Sequence, residues 1–254
     1  MIRIAAIGDV HFGTDSAGTL RPALAHLPER ADALLIAGDL TRHGTAAEAT
    51  VLAQELHDVG VPIITVLGNH DYHCDEVQGI TSALEDHDIH VLEGDAVVVE
   101  VGGERLGVAG TKGFGGGFAG ACGSDYGEPE MKAFVRHTKK LAQGLEDALR
   151  TLDTDHRVAL LHFSPVEATL RGERLEIYPF LGSYLLAEAV DRAGADLVLH
   201  GHAHAGSEKG LTSGGVPVRN VAQPVIRRAY HLYCLGDGVE AGCEPFPSAA
   251  DAAT

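Results

Sequence analysis

The sequence predicts an α/β protein whose parallel strands are joined by helical crossovers. Three observations carry that expectation. Short, unbroken apolar runs recur along the chain, as expected of strands buried on both faces. Between them lie stretches with apolar residues at helical spacing. Most of the apolar runs end at a glycine beside Asp, Asn or His, as in Ile7-Gly8-Asp9, Ala37-Gly38-Asp39 and Leu67-Gly68-Asn69.

Taken in order, residues 2–7 are a compact apolar run and read as the first strand. Residues 20–30 read as a short helix. Residues 33–37 form a second strand, ended by Gly38. Residues 46–59 carry helical periodicity through Val51, Leu52, Leu56 and Val59 and stop at Gly60; Pro62 then leads into a strand at 63–67. A helix fits 77–87 and a short strand 89–92. Strands near 96–101 and 106–109 are joined by Gly102-Gly103, a pair suited to a tight hairpin turn. Residues 110–129 are glycine-rich and aperiodic, and read as a loop or a lid. A helix follows at 131–149, a strand at 158–161, a helix at 183–193 stopped by Gly194, and a strand at 197–199. Residues 214–235 hold several short strands. No repeat or linker is visible, so the expectation is a single domain over 1–244, with a second sheet from its β-rich second half and a flexible tail at 245–254.

The 254 residues include 19 Lys and Arg against 36 Asp and Glu, a formal net charge of −17. Such a surface argues against bulk nucleic acid and against an anionic membrane as partners. No apolar run reaches the roughly 18 residues of a membrane span, and the first residues turn polar too soon for a secretion signal. Cys74, Cys122, Cys234 and Cys243 are widely spaced with no C-x-x-C. That spacing argues against a disulfide scaffold or a structural zinc site, and makes a reducing cytoplasm the expected compartment. A small phosphorylated substrate remains compatible with the acidic surface, because bound cations reverse the sign locally. Homo-oligomerisation is left open.

Fifteen histidines are the unusual feature. Several fall where strands end, together with carboxylates: Gly8-Asp9-Val10-His11, Gly38-Asp39, Gly68-Asn69-His70-Asp71, His162, and His200-Gly201-His202-Ala203-His204. The carboxyl ends of parallel strands converge on one edge of an α/β sheet, where ligand sites form. Asp9 and Asp39 offer hard anionic oxygen, Asn69 a neutral carbonyl oxygen, and His11, His162, His202 and His204 borderline nitrogen. A mixed N/O set without thiolate suits Mn, Fe or Zn rather than a Ca or Mg cage. Seven side chains exceed what one open site needs and match two ions sharing a carboxylate. Gly8, Gly38, Gly68 and Gly201 allow sharp turns and close backbone approach beside these ligands.

These five blocks, in this order over residues 9–204, resemble the calcineurin-like metallophosphoesterases. The chain resembles in particular their small prokaryote-like phosphodiesterase members, and no long appended domain is expected. The resemblance implies a four-layer α/β/β/α sandwich with two mixed sheets between helices. It implies two divalent or trivalent ions, the first on Asp9, His11, Asp39 and His204, the second on Asp39, Asn69, His162 and His202, with Asp39 bridging. It places His70 near the leaving-group oxygen and makes Asp71 a partner that orients a histidine. One departure is visible: Arg42 stands where many cyclic-nucleotide-type members carry a second aspartate.

The expected chemistry is phosphoester hydrolysis, foremost of a small phosphodiester, by a hydroxide whose pKa two cations lower. His70 would protonate the leaving oxygen. A phosphomonoesterase or protein phosphatase is the alternative, and a non-catalytic scaffold or binding module is the alternative of another class. Arg42, Arg171, Arg174, Arg227 and Arg228 are candidate phosphate contacts, since a guanidinium suits phosphate oxygens. His73 could line the site, and Phe114 and Phe118 could offer apolar surface to a substrate. His200 reads as a packed residue. The G-x-G-x-x-G at 115–120 lies outside any first βαβ unit and is no dinucleotide fingerprint.

Overall fold

The computed structural model describes residues 1–236 and 243–246. In chain order the strands are β1 (Ile2–Ile7), β2 (Ala33–Ala37), β3 (Ile63–Val66), β4 (Ile89–Leu92), β5 (Asp95–Val101), β6 (Glu104–Thr111), β7 (Gly117–Phe118), β8 (Ala121–Cys122), β9 (His156–Leu161), β10 (Leu197–His200), β11 (Lys209–Leu211), β12 (Pro217–Asn220), β13 (His231–Leu235) and β14 (Glu244–Phe246). One sheet has the order β14-β13-β1-β2-β3-β4 and the other β11-β12-β10-β9-β6-β5. Strands β1 to β4 are mutually parallel, as are β6, β9, β10 and β12, while β13, β5 and β11 run antiparallel at the flanks.

The two sheets face each other because their strands are apolar on both sides. Ile2, Ile4 and Ala6 of β1, with Leu35 and Ile64, meet Val108, Val158, Leu160, Leu197 and Leu199 of the second sheet. The intervening residues of β1, Ala5 and Ile7, point the other way, onto Leu52, Leu56, Ile80 and Leu84 of helices Ala46–Leu56 and Val77–Glu85. On the far side, Leu161 and Val198 pack on Leu145, Leu149, Leu186 and Val190 of helices Pro129–Thr151 and Tyr184–Ala193. This is the α/β/β/α layering.

Some boundaries differ from expectation. Residues 20–30 split into two one-turn helices, Arg21–Leu24 and Leu27–Arg30, because each accepts a proline only in its first turn. The hairpin turn at Gly102 and Gly103 has φ of 60° and 83°, which explains the glycine pair. Residues 110–129 hold structure: β7 and β8 pair with each other. Their segment is also tied down, with Gly116 N–H donating to Pro179 O at 2.7 Å and Gly117 N–H to Gly182 O at 2.9 Å.

At the chain's end, Cys234 and Cys243 form a disulfide, where the sequence pointed to none. Glu244 accepts from Lys209 at 2.8 Å and Arg219 at 2.7 Å, tying the edge of the first sheet to the second. Of the expected tail 245–254, Pro245 and Phe246 pair with Cys234 and Leu235; the remainder lies outside the described residues. Among the described residues no helix is long and apolar enough to cross a membrane.

Candidate metal centre

The loops after β1, β2, β3, β9 and β10 meet at one edge. Three of them hold their polar residues in the left-handed region: Asp9 (φ 59°), His11 (44°), Asp39 (49°) and His202 (69°). Each such residue costs on the order of 1–3 kcal/mol, a cost that concentrates at functional sites. Backbone hydrogen bonds hold them there, with Asp9 N–H to Gly38 O and His11 N–H to Asp39 O, both at 3.0 Å. Two glycines are required by proximity. A Cβ on Gly68 would collide with the carboxylate and backbone of Asp39, and one on Gly201 with the Asp9 carboxylate.

Two groups of ligating atoms result. Asp9, His11, Asp39 and His204 form one, Asp39, His162 and His202 the other, and within each group the atoms lie within 4.8 Å of one another. Asp39 belongs to both. Asn69 joins the second group, its Oδ1 3.0 Å from His162 Nε2. All seven side chains singled out from the sequence thus converge.

The donors fit a cation pair on three counts. His11 Nε2 is buried without a hydrogen-bond partner, 3.7 Å from Asp39 Oδ2. His162 Nδ1 lies 2.8 Å from Ala37 O. A carbonyl only accepts, so Nδ1 carries the proton and the Nε2 lone pair faces Asp39, 3.3 Å away. By the same logic His202 Nε2, 3.3 Å from Phe180 O, leaves its Nδ1 lone pair for the site.

Electrostatics agree with this. Burial pushes His202 down to about 3, so its ring is neutral at physiological pH. Burial likewise lowers His11, against the pull of Asp39 and Asp9. His204 is raised by its hydrogen bond to Asp9, Nε2 to Oδ1 at 2.8 Å. Burial alone would raise Asp39, but His162, the His70 amide and His11 together bring it below the ordinary carboxylate range.

The calcineurin-like phosphoesterase family matches residues 2–206, about four-fifths of the chain. The chain belongs to this family. Its members hydrolyse phosphoesters with metal ions, and the family is dinuclear. Among solved structures, the phosphopantetheinyl hydrolase of Mycobacterium tuberculosis superposes with a TM-score of 0.64 at 17% identity, over 88% of this chain and 90% of that one. A Thermus thermophilus protein gives 0.58 at 18% identity, over 91% and 93%. GAP50, the anchor in the inner membrane complex of Plasmodium, gives 0.53 at 11% identity, over 88% and 72%. These likenesses are of fold. No curated protein matches this chain.

Within the phosphoesterase site, His70 donates its backbone N–H to Asp39 Oδ1 at 2.8 Å and stacks edge-on to His11, ring centroids 4.5 Å apart. Its Nδ1 is 3.0 Å from Arg42 O and its Nε2 4.0 Å from Asp39 Oδ2. Asp71 departs from the role expected of it. Among the described residues it hydrogen-bonds to no histidine: its oxygens accept from Leu40 N (3.2 Å), Thr41 N (2.8 Å), Thr41 Oγ1 (2.6 Å) and Gly68 N (2.7 Å). The side chain is fully buried and braces the loop after β2 against the loop after β3.

The other candidates scatter. The Arg42 guanidinium pairs with Asp15 at 2.9 Å. His73 is exposed, 6.1 Å from the His70 ring. Phe114 packs at 5.8 Å from Phe163, whose ring is 4.3 Å from that of His202. Phe118 does not offer the expected apolar surface, because it is buried among Leu170, Tyr178, Leu181 and Ala203. Arg171 and Arg174 are exposed on a neighbouring segment. Arg227 and Arg228 line a cleft with Val10, Phe12 and Leu20, beside the His11 loop rather than at the ligand groups. His200 is buried and satisfied by Gly201 O at 2.7 Å and Thr169 Oγ1 at 2.8 Å, as its packed reading requires. Sequence reasoning missed Lys112, Tyr72 and Phe163 near the second group. Lys112 had a usable signal: it directly follows strand β6, at the same sheet edge.

Proposed function

We propose that this phosphoesterase is a phosphodiesterase that cleaves a small phosphodiester with two transition-metal ions. The observation that carries the reading is the pair of donor groups sharing Asp39. Asp9, His11, Asp39 and His204 would hold one ion and Asp39, Asn69, His162 and His202 the other. The N/O donor set without thiolate favours Mn, Fe or Zn. Such ions would supply Lewis acidity and an activated water.

The chain's own residues do the rest. Asp39 links the two groups and orients His70 through its amide. The Arg42 carbonyl fixes the proton of the neutral His70 ring on Nδ1, so Nε2 faces the site. Protonated at Nε2, His70 gives that proton to the departing ester oxygen, a contribution typically worth about 10²–10⁴ in rate. Asp71 acts from below by holding the two loops in register. Arg42, His73, Phe114, Arg227 and Arg228 stay as proposed substrate contacts, Arg42 on condition that its guanidinium leaves Asp15.

A phosphomonoesterase or protein phosphatase is the second reading, and the arginine at position 42 weakens any tie to cyclic nucleotides. A scaffold is the third; the fold serves as an anchor in GAP50, but the convergent donors here argue for chemistry. Net charge favours a small phosphorylated substrate over nucleic acid. The cytoplasmic expectation rested on unbridged cysteines. The Cys234–Cys243 disulfide removes that ground, since such bonds persist mainly in oxidising compartments. The deciding experiment compares kcat/KM on bis-p-nitrophenyl phosphate and p-nitrophenyl phosphate with protein loaded with Mn, Fe or Zn. Preference for the diester supports the proposal, preference for the monoester selects the second reading, and metal-loaded protein without turnover selects the third.

A further inference from the structure

The consecutive turns Leu175–Ile177 and Tyr178–Leu181 have two unlike sides. The inner side is packed: Tyr178 and Leu181 are buried with Phe118, Leu170 and Ala203, and Ala203 stands between the candidate ligands His202 and His204. The outer side carries Leu175 (72% exposed), Ile177 (37%) and Phe180 (62%). A second tie fixes this segment to the candidate metal centre, since His202 Nε2 donates to Phe180 O at 3.3 Å. Aromatic rings join the same two points by another route. The His202 ring is 4.3 Å from Phe163, Phe163 5.8 Å from Phe114, Phe114 5.0 Å from Phe134 and Phe134 6.4 Å from Phe180. Phe163 is buried, Phe114 and Phe134 are half-buried and Phe180 is exposed, so the file of rings opens from the second donor group toward solvent.

Single exposed apolar side chains are common on protein surfaces. Three in one short stretch, continuous with a row of aromatic rings, make a patch of the kind that marks a ligand groove or an interface. Its place decides between these occupants. The patch is joined to one donor loop twice, by the Phe180 carbonyl and by packing on Ala203. An ester held through its phosphate at the donor groups directs its organic group away from them, and the exposed apolar side chains stand at that margin. The net charge of −17 opposes an anionic lipid surface, whereas an uncharged organic group meets no such repulsion.

We propose that Leu175, Ile177 and Phe180 form a subsite for an apolar organic group of the substrate, so that the phosphoester cleaved here is that of a hydrophobic alcohol. This rests on the phosphoesterase reading and names its substrate class.

The test uses binding, not turnover. Butylphosphonate and octylphosphonate share a head group, are not hydrolysed, and differ only in chain length. A fully buried methylene raises affinity about fourfold; half of that free energy, on an open patch, gives roughly twofold for each. Calorimetry on metal-loaded protein measures both dissociation constants for wild type, F180S and I177S/F180S, with metal content and circular dichroism matched. Wild type is expected to favour the octyl ligand at least about tenfold, F180S to lose part of that ratio and the double variant most of it. An octyl preference that both variants keep would overturn the proposal. Equal weakening of both ligands would also overturn it, leaving Phe180 a positioning residue for His202. So would a wild type that does not distinguish the ligands, a result that stands even if the variants fail to fold. Flotation with phosphatidylcholine vesicles tests the other occupant: wild type that floats and F180S that does not, without a chain-length preference, would assign the patch to a lipid surface and overturn the subsite. Turnover of bis-p-nitrophenyl phosphate by wild type tests the phosphodiesterase reading separately. If turnover fails while the octyl preference holds, the patch remains an apolar subsite and only the reaction has been misassigned.

Discussion

The imidazole Nδ1 of His70 lies 3.0 Å from the carbonyl oxygen of Arg42, and that contact decides which nitrogen faces the candidate metal centre. Because a carbonyl can only accept, the neutral ring keeps its proton on Nδ1 and presents Nε2 toward Asp39, 4.0 Å away. Position 42 thus serves through its backbone, while its guanidinium turns to Asp15.

His70→Ala is expected to retain both ions and lose rate according to the leaving group. Nitrophenolate needs little protonation, whereas an alkyl or nucleoside alkoxide needs much more. The loss should approach about 10²–10⁴ on alkyl esters and be far smaller on aryl diesters. A plot of log kcat/KM against leaving-group pKa, at matched metal occupancy, checks this. A steeper negative slope in the variant supports the acid role, and parallel lines would leave His70 as a positioning residue only.

Gly68→Ala places a methyl group against the Asp39 carboxylate. The shared ligand must move, so metal content should fall below two ions per chain and kcat/KM by roughly 100-fold, the scale of an ångström-level misplacement. Elemental analysis after dialysis reads the first and steady-state kinetics the second. Full metal content with unchanged kinetics would show that Asp39 is not held where the contact implies.

Asp71→Asn replaces a buried acceptor with a group half of which donates. At least one of the amides of Leu40, Thr41 and Gly68 then loses its acceptor. The expected cost is about 2–3 kcal/mol, seen as a lower urea midpoint for the metal-free protein. A shift of a few tenths of a kcal/mol would mean that the two loops do not depend on this brace.

Asp32 pairs with Arg3 across β1 and β2, accepting from its amide at 2.8 Å and from Nη2 at 2.8 Å. Burial alone would raise this carboxyl, but the Arg3 hydrogen bonds outweigh it and the pKa lies below the ordinary value. A carboxyl lowered on folding adds stability that is complete above its unfolded pKa near 4 and disappears as pH falls through the folded value. Asp32→Asn should therefore cost about 1–2 kcal/mol near neutral pH, with the difference from wild type closing below about pH 4. Denaturation curves across pH 2.5 to pH 7, approximately, provide the check; a gap that widens in acid would reverse the sign.

The order of elements and the convergence of seven candidate donor side chains were legible because they rest on local pattern. Apolar runs such as 2–7 and 33–37, too short for a buried helix and ended by glycine, read as strands buried on both faces, and the Asp, Asn and His residues that follow them inherit the sheet edge by topology. What the sequence could not yield depends on partners far along the chain. His162 takes its orientation from the Ala37 carbonyl, 125 residues away, and Asp71 spends its oxygens on backbone amides of two other loops instead of on a histidine. Phe118 and Phe114 look alike in a glycine-rich stretch, yet one is sealed into a small core and the other faces Lys112 and Phe163. The Cys234–Cys243 bridge and the placing of Lys112 beside the Tyr72, Phe114 and Phe163 rings belong to the same class. Residue type and spacing determined which groups this protein could bring to one edge, because strand and turn propensities act over a few residues. Which hydrogen bond each group makes, and which are left without one, was decided only when two sheets and their loops packed, since burial and long-range contact set those choices.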